Sequence, residues 1–106
     1  MYPIDLGDAK RGHEQRGKRL GIVMSDGPAH WSTVTVVPTS TRALPANFRP
    51  LLMIDGRETL ALVDHVRSID VKYVLGDPVD HLTREDMAQV EFALGRWLDL
   101  RIELDY

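Results

Sequence analysis

The chain has 106 residues, 43% of them apolar, with 13 Lys/Arg against 16 Asp/Glu and a formal net charge of −3. That suits one small domain (residues 1–106) with a single core, and it excludes a disordered or fibrous chain. Cysteine is absent, which excludes a disulfide framework, a thiolate metal site and a cysteine nucleophile.

No apolar run approaches the ~18 residues of a membrane helix and no signal-like segment opens the sequence, so no membrane partner and a cytoplasmic location are expected. Charge is uneven along the chain. Residues 1–50 carry seven Lys/Arg against four Asp/Glu, whereas residues 51–106 carry six against twelve. A uniformly basic coat for nucleic acid is excluded, and a local basic site on an acidic body is expected.

Tyr2, Ile4 and Leu6 alternate with Pro3 and Asp5, which predicts a short edge strand because Pro3 cannot donate to a ladder. From Gly7 to Gly17 the chain is a polar, glycine-punctuated loop. Lys10, Arg11, Arg16, Lys18 and Arg19 gather around it, offset by Glu14. Leu20 to Ser25 predicts a strand with Arg19 at its mouth, a place from which loops deliver functional groups. Asp26-Gly27-Pro28 ends it, and Trp31 near this loop is a candidate either for stacking a base or for a buried or interface position. Thr33 to Val37 is β-branched throughout, the clearest strand in the chain.

Arg42 to Pro50 reads as irregular. Leu51–Ile54, the Asp55-Gly56 pair and Thr59–Val63 predict a hairpin. Residues 66–73 predict another strand that decays into a turn at Gly76-Asp77-Pro78. Thr83 before Arg84-Glu85-Asp86 predicts an N-cap, with acids where the helix dipole favours them, and Leu82 is placed to staple onto Met87. Met87, Val90, Leu94, Trp97 and Leu98 recur at helical spacing, predicting one amphipathic helix over 84–98 and a core stripe. Five or six short strands and a terminal helix predict a mainly β fold, a compact barrel with the helix packed across it.

His13, His30, His65 and His81 are scattered, with no His-x-x-x-His pair, so no metal site and no cofactor are expected. There is no phosphate-cradling Gly-x4-Gly-Lys-Ser/Thr loop and no Gly-x-Ser-x-Gly elbow. What remains is a cation with hydroxyls. RNA carries its own nucleophile in the ribose 2′-OH, so a nuclease needs only to align that group, stabilise charge on the phosphate and manage two protons. Arg19 suits the phosphate, since a guanidinium is planar and permanently charged. Thr39 or Ser40, at the end of a stiff strand, suits a hydrogen bond to the same group, and His13 beside Glu14 is a second candidate proton carrier.

The run Gly12-His13-Glu14-Gln15-Arg16-Gly17-Lys18-Arg19-Leu20-Gly21-Ile22-Val23-Met24-Ser25 resembles the Gly-Ser-Glu-x-x-x-x-Arg-Pro-x-x-Val-x-Ser signature of the MazF/PemK family of toxin endoribonucleases. Val36-Val37-Pro38-Thr39-Ser40-Thr41 is similar to its Val-Pro-Leu-Thr-Ser strand end, and Leu62 to Asp70 to its Val-Asp-Gln-Val-Arg-Thr-Ile-Asp segment. The resemblance spans nearly the whole chain. It implies an SH3-like barrel, a homodimer, a cognate antitoxin, and metal-independent cleavage of single-stranded RNA to 2′,3′-cyclic phosphate and 5′-hydroxyl ends.

By the same resemblance Arg19 takes the catalytic arginine's place. Thr39 takes the threonine's if one residue is deleted, and Ser40 takes it if the alignment is ungapped; Thr39-Ser40-Thr41 favours the first. Glu14 is expected to orient Arg19, and His13, Gln15, Arg16, Lys18, Thr41 and His65 to contact RNA. Leu20 stands where the family usually has proline, and the chain opens inside the family's first strand. Two other classes fit the same fold: a toxin that poisons a protein such as DNA gyrase, and a catalytically decayed RNA-binding barrel.

Overall fold

The computed structural model describes residues 1–7, 18–25 and 31–100. The β-branched run lies within the long strand β3 (Thr33–Ser40), flanked in sequence by β1 (Tyr2–Asp5) and β2 (Lys18–Val23). After it come the hairpin β4 (Leu51–Ile54) and β5 (Arg57–Ala61), then β6 (Arg67–Asp70) and the helix α1 (Arg84–Trp97). All strand pairs are antiparallel, and the order along the sheet is β1-β2-β3-β5-β4 with β6 also on β3. The result is the expected mainly β, barrel-like fold with a C-terminal helix, its sheet stopping short of closure between β1 and β4.

β3 is the spine. One edge carries β2, with Gly21 opposite Pro38 and Val23 opposite Val36. The other edge is shared end to end, β6 taking Thr33 to Val36 and β5 taking Thr39 and Ser40. Between Ala61 and Arg67 the chain advances six residues while its partner recedes three, from Thr39 to Val36. A three-residue 3-10 turn, Val63–His65, absorbs the excess.

Both faces of β3 are buried, which explains its unbroken apolar stretch. Val37 joins Ile22, Leu52, Ile54, Ala61, Val63, Val90 and Ala93 in one cluster, while Val36 joins Ile4, Leu6 and Ile69 in a second. The hairpin forms as expected. Asp55 and Gly56 both have positive φ, 50° and 76°, the backbone that a two-residue turn between twisted strands requires.

Two expectations need adjustment. β1 is the terminal strand, but its outer side is partly covered: Leu75 N donates to Pro3 O and Val79 N to Met1 O, each at 2.7 Å. A residue's N–H and C=O point to the same edge of a strand, so the N–H that Pro3 lacks would have faced this looser side. In α1, Thr83 caps as expected, its Oγ1 accepting from Asp86 N at 3.1 Å. Val90 and Ala93 are buried, and Leu82, Met87 and Leu94 pack against the same cluster. Trp97 and Leu98, however, are 46% and 48% exposed, and Trp97 meets the ring of Phe48 at 5.0 Å instead of the sheet.

Gly21 is fixed by packing. A Cβ built there would lie 2.5 Å from Ile4 Cδ1 and 3.2 Å from Cγ1, and Ile4 is fully buried. Gly21→Ala should therefore destabilise the fold by about 1–3 kcal/mol through overpacking. Thermal melting followed by circular dichroism checks this, with a fall in Tm of at least ~4 °C expected.

Candidate functional site

The end of β3 builds a cleft of about 440 Å³, walled by Arg19, Leu20, Thr39, Ser40, Thr41, Ile54, Asp55, Arg57, Thr59 and Val79. Arg19 comes from the start of β2, Thr39, Ser40 and Thr41 from the end of β3 and the residue after it, and Asp55, Arg57 and Thr59 from the β4–β5 hairpin. Thr39 and Ser40 lie just past Gly21–Pro38, the last β2–β3 pair, where β3 takes β5 as its partner, and both are buried.

Three buried hydroxyl residues line the cleft, Thr39, Ser40 and Thr59, and the two from β3 are held differently. Thr39 Oγ1 donates to Leu20 O at 2.7 Å, so its proton is committed to the neighbouring strand. Ser40 Oγ accepts from Arg42 N at 3.1 Å and from Ala43 N at 3.0 Å. A hydroxyl with both acceptor sites filled still has its own proton to give. Those two N–H groups also draw the chain into a turn as it leaves the strand, a local bond typical of serine.

Arg19, Thr39, Ser40 and Thr41, all singled out from the sequence, therefore share one cleft. His13, Glu14, Gln15 and Arg16 lie outside the described residues. Lys18 pairs with Asp5 through its backbone in β2, and its side chain is not among those described. His65 is not in the wall of this cleft. It sits in the 3-10 turn with Nε2 3.4 Å from Asp64 Oδ2. Trp31 is 58% exposed. Asp55, Arg57 and Thr59 were not anticipated as site residues, because the hairpin signal gives their turn and not the face they present.

A second polar group braces the irregular segment after β3. Arg49 Nε and Nη2 donate to the two Asp64 oxygens at 3.0 and 2.7 Å, and Nη1 donates to Leu44 O at 2.9 Å. This bidentate pair ties residues 44–49 to the 3-10 turn between β5 and β6. Burial alone would raise the Asp64 pKa, but the hydrogen bonds from Arg49 and from its own backbone, with the nearby charge of Arg49, bring it below the ordinary value.

Residues 1–98 match the family model of PemK-like, MazF-like toxins of type II toxin–antitoxin systems. A Mycobacterium tuberculosis protein named "Putative toxin Rv3098A/RVBD_3098A" is 58% identical over 100 residues, covering 94% of each chain. The crystal structure of MazF (Form-I) from Deinococcus radiodurans is similar with a TM-score of 0.74 at 27% identity, over 93% of this chain and 94% of that one. An endoribonuclease from mycobacterial species, solved with its cognate antitoxin, shares the fold with a TM-score of 0.74 at 18% identity, over 96% and 93% of the two chains.

Because the folded-state pKa of Asp64 is depressed, the stability it contributes is present above its unfolded value of about 3.9 and is lost as pH falls through the lower folded value. Arg49→Gln should cost about 1–3 kcal/mol at pH 7, with the gap to wild type narrowing on acidification below pH 4. Urea melts of both proteins from pH 7 to pH 3 check the sign; a gap that widens in acid would contradict it.

Proposed function

The chain belongs to the PemK-like, MazF-like toxin family of type II toxin–antitoxin systems, and from that premise we propose that it is an endoribonuclease that cuts single-stranded RNA without a metal ion. The observation that carries this reading is that Arg19 shares a cleft with the buried hydroxyl side chains of Thr39 and Ser40, two of the three in its wall. A permanent cation beside a hydrogen-bond donor matches the charge that builds on a phosphodiester as it is attacked.

In this mechanism the ribose 2′-oxygen attacks phosphorus as it loses its proton. The bond from phosphorus to O5′ breaks, and O5′ takes up a proton, leaving a 2′,3′-cyclic phosphate and a 5′-hydroxyl. Arg19 opposes the charge on the non-bridging oxygens, and Ser40 donates a hydrogen bond to the same group. Thr39 supports both by holding Leu20 O, since its own proton is already engaged. Glu14 orients Arg19, while His13, Gln15, Arg16, Lys18, Thr41 and His65 contact the RNA. The protein acts as a homodimer, and a cognate antitoxin silences it by covering the cleft. The mycobacterial endoribonuclease of the same fold, solved in complex with its cognate antitoxin, supports the antitoxin as a partner.

Incubating the protein with a long RNA in EDTA and mapping the ends tests the reading, and products with 5′-hydroxyl ends are expected. RNA left intact would overturn it in favour of a toxin that acts on a protein. Arg19→Ala should abolish cleavage with Tm nearly unchanged. Ser40→Ala should lower kcat by roughly 10²-fold or more, and full activity in either variant would refute the assigned role.

A further inference from the structure

Arg57 stands in the wall of the cleft together with Arg19, and among the described residues its guanidinium has no hydrogen-bond or ion-pair partner. Its backbone is nevertheless firmly placed. It follows the Asp55-Gly56 turn, whose two positive φ angles fix the hairpin, and it pairs with Ile54 across it. Thr59 Oγ1 donates to Arg57 O at 3.2 Å. Arg57 and Thr59 share the face of β5 that lines the cleft, and Glu58 between them belongs to the opposite face by strand alternation.

We infer that Arg57 holds a second phosphate of the single-stranded RNA, the one next to the scissile phosphate; this rests on the nuclease reading above. The topology sets the spacing. β2 and β5 lie on either side of the end of β3, which separates them by about 10 Å. Leu60 is opposite Ser40, so Arg57 lies three residues further along, roughly another 10 Å. By strand spacing the Cα atoms of the two arginines lie up to roughly 14 Å apart, which leaves room for neighbouring phosphates of one strand at the two guanidinium groups.

Charge points the same way. Arg57 brings to the described lining a cation that no described carboxylate pairs. Asp55 makes no ion pair with Arg57, so the second cation remains available to an anion that enters with the substrate. Arg57 is exposed beside the turn, so recruiting it costs the core nothing. Its contact is with the sugar–phosphate backbone, so it strengthens binding without reading a base.

The test compares wild type, Arg57→Gln and Arg57→Lys for binding to a 2′-O-methyl oligonucleotide, which cannot be cut, across a series of salt concentrations. Arg57→Gln should bind on the order of tenfold more weakly, and the slope of log K against log salt should shrink by about 0.7, the loss of one phosphate contact on a single strand. Arg57→Lys should restore most of the slope. On cleavable RNA the loss in Arg57→Gln should fall on KM, with kcat close to wild type. An unchanged salt slope, or a loss confined to kcat, would overturn the inference. Wild-type protein that binds the oligonucleotide yet cuts no RNA would end the nuclease reading while leaving the slope comparison decisive; cutting with an unchanged slope would end this inference alone.

Discussion

Thr39, itself buried, closes its hydroxyl on the carbonyl of half-buried Leu20 across 2.7 Å. That bond continues the β2–β3 pairing beyond Gly21 and Pro38, the last pair of the ladder. Its two owners are the sequence neighbours of Arg19 and Ser40. The guanidinium and the second hydroxyl therefore project from either side of a fixed point, and the cleft inherits its dimensions from backbone geometry. A site held in this way has little reorganisation left to pay when charge develops.

The rest of the fold serves to keep that point rigid. β3 is buried on both faces, so its end cannot tilt without disturbing two clusters at once. β5 adds the third strand at Thr39 and Ser40, and the Arg49–Asp64 pair holds the segment leaving β3 against the turn that follows β5. With two partly buried charges hydrogen-bonded on both sides, this pair is worth more as a geometric clamp than a surface ion pair would be. Charge follows the same economy. The body is acidic in its second half, but the cleft draws one cation from each half.

Much of this was legible from residue types. The β-branched run of β3, the Asp55-Gly56 turn and the Thr83 cap are local signals, each set by the backbone preferences of a few neighbours, and each formed where expected. Arg19 and the Thr39–Ser40 pair could be named because they sit at strand ends. What could not be read was set by distant contacts. Ala93 is buried but too small to mark a stripe, whereas Trp97 marks one and lies half in solvent against Phe48. Arg49 and Asp64 are fifteen residues apart with no pattern to join them. Arg57 comes from the acidic half, and only the fold of the hairpin against β3 brings it beside Arg19. The difference between Thr39 and Ser40 is likewise one of hydrogen-bond partners, which no alignment of letters contains.

The cleft gathers residues from position 19 through position 79, and that spread has a bearing on how the chain is made. A ribosome releases the arginine of β2 and the hydroxyls of β3 long before the hairpin that borders them. Until β5 emerges, Thr39 and Ser40 lack a neighbour on one edge, and until Val79 emerges one wall is absent. A nascent chain interrupted midway thus holds the ingredients of the site without the vessel, and a cell making this protein meets the finished cleft only after Val79 has emerged.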